Sequence, residues 1–131
     1  MKTFAYYESD GRIIRAMTLP DNSGEANIQA GQQMLDVTGV AGFSLNDYYV
    51  NGSEELVARV EMPALVYPLT AVPNEIVEIS NIPSNCLLSW PDSVQTRETG
   101  TLSFESAVTG TFVFFFDHPH YYQVRIAIDV A

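Results

Sequence analysis

The two histidines of this chain stand two apart, in Asp117-His118-Pro119-His120. With the adjoining carboxylate they form the only cluster of metal-ligating residue types along the sequence. Side chains at i and i+2 of an extended segment share a face, so both imidazoles could turn toward one ion. A bound metal needs three or four ligands and a supporting outer shell. Without a further histidine, carboxylates would have to complete the set, and no spacing supplies them. The plainer reading is a corner between two strands with both imidazoles at the surface. We expect no metal and no other cofactor.

Nucleophilic chemistry finds no better footing. A Ser-His-Asp triad can be assembled on paper, but there is no Gly-x-Ser-x-Gly elbow to present the serine. No glycine-rich loop precedes a helix to cradle phosphate. Carboxylate neighbours such as Glu54-Glu55, or Glu75 with Glu78, are commonplace in a chain with sixteen acidic residues and carry no sign of glycosidase chemistry. Cys86, the single cysteine, rules out an internal disulfide and a cysteine-rich zinc site, and reads as a small buried hydrophobe. No catalytic residues are expected, and the chain does not read as an enzyme.

Aromatic residues carry more information. Tyrosines pair at 6–7, 48–49 and 121–122. Strand neighbours point to opposite faces, so one of each pair should pack inward and the other present its ring to a partner. We take Tyr7, Tyr49 and Tyr121 as the candidate interface members. Such rings could also stack on sugar, or simply cover the ends of a core. Phe112-Val113-Phe114-Phe115-Phe116 lacks the alternation of a strand with one wet face. Phe112, Phe114 and Phe116 project one way and should fill the core. Val113 and Phe115 project the other way and need cover from the N-terminal hairpins or from a partner, since bare they invite aggregation, which makes Phe115 the fourth candidate interface residue.

Charge narrows the partners. Six basic residues face sixteen acidic ones, for a net charge of −10. Nucleic acid and anionic membrane surfaces are disfavoured. The N-terminal residues lack the apolar core of a signal peptide, and no run approaches the length of a membrane-spanning helix, so synthesis in a cytoplasm is expected. At 131 residues and 47% hydrophobic content the chain suits one domain or two small ones with a real core.

The elements that would position these residues are strands. Phe4 to Glu8 and Arg12 to Thr18 predict a hairpin turning on Asp10-Gly11. Tyr48-Tyr49-Val50-Asn51-Gly52, followed by Glu55 to Met62, predicts a second hairpin in the same style. Asp-Gly and Asn-Gly both suit two-residue turns. Between the hairpins, Glu25 to Gly31 could form one or two helical turns capped by Ser23, and Gln33 to Val37 a strand. Prolines at 63, 68 and 73 mark a boundary. Beyond it, strands are predicted at Glu75 to Ser80, Asn85 to Trp90, Gly100 to Glu105, Thr111 to Asp117 and Tyr122 to Val130. Val124, Ile126, Ile128 and Val130 should share one face. The expected fold is all-β: hairpin units in 1–62, then a small immunoglobulin-like β-sandwich in 63–131, the comparison resting on strand number and spacing.

Several short motifs resemble small accessory proteins of tailed-bacteriophage virions and prophages. Tyr49-Val50-Asn51-Gly52, then Arg59-Val60-Glu61-Met62-Pro63, is similar to their turn and "R-x-x-M-P" linker. Ile79-Ser80-Asn81-Ile82-Pro83 is similar to an "L-S-G-L-P" segment. Gly110-Thr111-Phe112 with Pro119-His120-Tyr121 is similar to a "G-T-Y … P-Y" ending. Asn81 in place of glycine and the polar run from Asp92 to Thr99 depart from that pattern. The resemblance implies a structural protein of the virion, associated with tail or fibre, with other virion proteins as partners and assembly into a larger particle. A capsid decoration protein and a carbohydrate-binding module are the alternatives. Exposed coplanar aromatics beside Asp or Asn would favour sugar. A bare sheet edge or apolar stripe would favour assembly.

Overall fold

Strand-forming alternation is realised along the chain: among the described residues, ten β-strands and a single 3-10 turn form the regular structure. The computed structural model describes residues 1–90 and 95–131. The fold class is all-β, as the sequence predicts, and two compact units divide it, Met1–Val60 and Glu61–Ala131.

In the first unit β1 (Lys2–Tyr7), β2 (Ile13–Leu19) and β3 (Gln33–Asp36) form an antiparallel sheet in the order β2-β1-β3. β4 (Tyr48–Val50) and β5 (Leu56–Ala58) form the second hairpin. Neither hairpin closes on the two-residue turn that its Asp-Gly or Asn-Gly suggested. In the first, the Glu8 N–H donates to the Arg12 carbonyl (3.0 Å), and the Glu8 carbonyl accepts from the Gly11 N–H (2.9 Å). Gly11 closes this three-residue loop at φ +88°. In the second, the Asn51 N–H donates to the Glu55 carbonyl (2.9 Å), and the Asn51 carbonyl accepts from the Glu54 N–H (3.1 Å). There the closing residue is Glu54, at φ +61°. The two turns are one device, a loop ending in a left-handed residue. The equivalence in space pairs Gly11 with Glu54, not with Gly52. The Asn51 side chain accounts for the shift: its Oδ1 accepts from the N–H of Ser53 (3.0 Å) and of Glu55 (2.9 Å), an Asx turn that starts the loop one residue before the glycine.

The hairpins join through backbone. The Val50 N–H donates to the Gly11 carbonyl (2.9 Å), and Arg12 bridges to Tyr49. Ala5, Tyr7, Ile13, Val37 and Val50 form the buried core there, with Leu35, Phe43, Tyr48 and Leu56 against it. The helical segment shrinks to a 3-10 turn at Glu25–Asn27, entered from Gly24 with no side-chain cap, so Ser23 does not serve as one. Three residues cannot repay helix nucleation alone. Arg15 holds this loop instead: its guanidinium lies 4.2 Å from the Tyr6 ring centroid and donates to Gln32 Oε1 (3.1 Å) and the Asn27 carbonyl.

The second unit is built on β6 (Thr70–Ala71), β7 (Val77–Ser89), β8 (Thr96–Phe104), β9 (Gly110–His118) and β10 (Tyr121–Val130), in the order β6-β10-β9-β7-β8. The strands expected at Glu75 to Ser80 and Asn85 to Trp90 are one strand, β7. Its ladder with β8 slips twice, between Ile79 and Ile82 and between Ile82 and Cys86, where Asn81 (φ +65°) and Asn85 (φ +58°) adopt left-handed backbone. Asparagine tolerates that conformation, so the chain bends without leaving the sheet. Pro83 lies within this irregular stretch, where a missing N–H costs least. Of the polar run from Asp92 to Thr99, Thr96 to Thr99 belong to β8, while positions 92–94 lie outside the described residues. The bent β7–β8 hairpin closes a sandwich-like core against β9 and β10. Val77, Ile79, Cys86, Leu88, Phe104, Phe114, Phe116, Ile126, Ile128 and Val130 are buried in it. Trp90 stacks on Phe114 at 5.3 Å, and Phe104 meets both Phe112 and Phe114 at 5.1 Å.

Candidate functional site

β9 lies between β10 and β7, which sets what its aromatic run can do. Phe114 and Phe116 are fully buried, and Phe112 on the same face packs against the core. Val113 and Phe115 point to the other face and are half-buried. Paired residues of antiparallel strands share a face. The register therefore places Ser89 and Arg125 beside Phe115, Ala127 beside Val113, and Leu87 opposite Asp117 and Arg97. The outer face thus carries an apolar strip of Leu87, Phe115, Val113 and Ala127, bounded by the exposed Arg97, Arg125 and Asp129. Arginine stems can lie over such a strip while their charged ends stay in water. A half-covered apolar strip with both charge signs at its rim suits contact with another protein surface. Leu87 was not singled out from sequence. The consecutive Leu87-Leu88 was a usable signal, since one of two strand neighbours must face outward.

The four candidate interface residues are not brought together. Tyr7 and Tyr49 belong to the first unit, Phe115 and Tyr121 to the second. Tyr7 is a correction: it is 5% exposed, and Tyr6 beside it is fully buried. β1 is the middle strand of its sheet, and side chains from elsewhere in the unit cover both its faces at this pair. Tyr7 faces the core shared with Val50, while Tyr6 lies under Arg15 and donates its hydroxyl to the Gly24 carbonyl (2.9 Å). Tyr7 in turn donates to Gln33 Oε1 (2.9 Å), and burial, helped by the nearby Glu54 carboxylate, pushes its phenol up from the ordinary value. Tyr49 is half-buried and contacts the first turn through its bridge to Arg12. In the third pair Tyr121 is half-buried and Tyr122 is the exposed member.

His118 ends β9, and His120 is the second residue of the two-residue turn to β10, across which His118 pairs with Tyr121. The His120 N–H donates to His118 Nδ1 (3.1 Å). The two imidazole centroids are 4.8 Å apart, and Tyr121 lies 5.1 Å from His118. With Asn81, Ser84 and Pro63 they line a cleft of about 360 Å³. Among the described residues no group of three or more His, Cys, Asp or Glu is placed to hold a metal ion. The cleft can offer a ligand ring faces, the Asn81 amide and the hydroxyls of Ser84 and Tyr121. Compared with known protein families, curated proteins and solved structures, the chain matches none.

Proposed function

We propose that this chain is a structural, non-catalytic component of a tailed-phage particle, docking through the outer face of its second-unit sheet. The observation that carries the docking is the half-buried strip of Leu87, Phe115, Val113 and Ala127. The assignment to a phage particle rests on the motif resemblance. The net charge of −10 is compatible with it: a strongly charged protein stays soluble until a partner surface is offered. The test is mass spectrometry of particles purified from a lysate, with wild type and Phe115→Ser expressed side by side. Wild type is expected in the particles. The variant should be depleted from them while keeping the wild-type melting temperature in isolation. Absence of wild type from the particles refutes the reading, and so does global unfolding of the variant.

The cleft at His118, His120 and Tyr121 favours a second reading, a sugar-binding module, because an aromatic ring there stands beside the Asn81 amide. Titrating the protein with glycans while following the histidine ring NMR signals tests it. Signals unmoved by any glycan dispose of it.

A further inference from the structure

We propose that the free edge of β8 pairs antiparallel with β8 of a second copy of this chain, joining two five-stranded sheets into one. This goes beyond the docking face above and does not depend on it.

The sheet ends differently on its two sides. β6, at one edge, is two residues long, which by itself blunts an edge. β8, at the other edge, runs for nine residues and, among the described residues, pairs only with β7. It contains neither proline nor lysine, two common guards of an edge. The register slips of the β7–β8 ladder insert their extra residues in β7, and exposure still alternates along β8, although Gly100 within it adopts φ +79° and bends the strand beside Thr101. Arg97, Thr99, Thr101 and Ser103 are exposed along one row, and Glu105, just past the strand, continues it. Glu98, Gly100, Leu102 and Phe104 face the other way and are half-buried or buried.

The exposed row is self-complementary, and this selects a second copy as the occupant. A two-fold axis at Thr101 sets Arg97 opposite Glu105 of the second copy, Thr99 opposite Ser103, and Thr101 opposite itself. Both Arg–Glu pairs form at once, each four residues, or about 13 Å, from the axis. Opposite charges directly across antiparallel strands attract, and hydroxyl residues between them can exchange hydrogen bonds. Moving the register by two residues leaves Arg97 facing Ser103 or Ala107, with no charge partner. The arrangement is isologous, as a closed dimer requires.

Sedimentation equilibrium of the full chain, up to about millimolar concentration, measures the association. Wild type should dimerise. Arg97→Glu alone, and Glu105→Arg alone, each create two like-charge pairs and should weaken dimerisation at least about tenfold. Both positions are exposed, so both variants should melt as wild type does. Mixing the two variants in equal amounts restores both opposite-charge pairs and should return dimers of wild-type affinity. A monomeric wild type, a single variant that dimerises as wild type does, or a mixture that stays monomeric each overturns the proposal. None of these outcomes bears on whether Phe115→Ser is depleted from particles.

Discussion

Replacing Gly11 with alanine should damage the first unit far more than replacing Gly52, although the sequence sets both glycines in look-alike turns. Gly11 is at φ +88°, and a Cβ added there would stand 2.2 Å from the Val50 carbonyl oxygen, a backbone atom that cannot rotate away. Three costs follow. Left-handed backbone at an L-residue costs about 1–2 kcal/mol. The Val50 N–H to Gly11 carbonyl bond must break or stretch, for about 1 kcal/mol more. The hairpins must then separate around Val50, which is buried in the core, adding a loss of the same order. We expect a total of about 3–4 kcal/mol. For a unit of this size that is a fall of roughly 12–30 °C in melting temperature. At Gly52 an added Cβ meets nothing within 4 Å and the backbone is not left-handed, so Gly52→Ala should be neutral or slightly stabilising. The assay is urea denaturation of each full-length variant, with hydrogen exchange read on peptides from Met1–Val60. If Gly11→Ala and Gly52→Ala lie within about 0.5 kcal/mol of each other, the turn geometry argued above is wrong.

Other positions give sharp outcomes. Glu54→Gly removes a left-handed non-glycine residue from the matching turn and should stabilise by about 1 kcal/mol in the same denaturation assay. Phe114→Ala opens a fully buried site and should cost about 3–5 kcal/mol, with Trp90 emission shifting to the red as its stacking partner disappears. Unchanged Trp90 emission in that variant would contradict the packing. Tyr7 is neutral in the fold, with its phenol held above the value of about 10 it has when unfolded. Its contribution is therefore complete below about pH 10 and is lost as pH rises toward the folded value. Tyr7→Phe should soften the alkaline decline of the melting temperature, and parallel declines in both proteins would argue against a buried phenol.

What the residues declared in advance was mostly local. The pleat ties side-chain direction to residue number, so Val124, Ile126, Ile128 and Val130 could be assigned to one face, and all but the half-buried Val124 are buried there. For the same reason the split of Phe112, Phe114 and Phe116 from Val113 and Phe115 was legible without coordinates. Turn-forming residues located both hairpins. Strand neighbours were not legible. Nothing near Tyr6-Tyr7 says that β1 is a middle strand covered on both faces, because its cover comes from Val50 and Arg15, far along the chain. Residues 81–84 separate two strands in the sequence reading, yet the ladder with β8 carries β7 through them, with bends at Asn81 and Asn85. The need for glycine at position 11 also came from outside its own turn. It is set by the Val50 carbonyl, thirty-nine residues away, because steric room at a backbone position depends on what the fold packs against it.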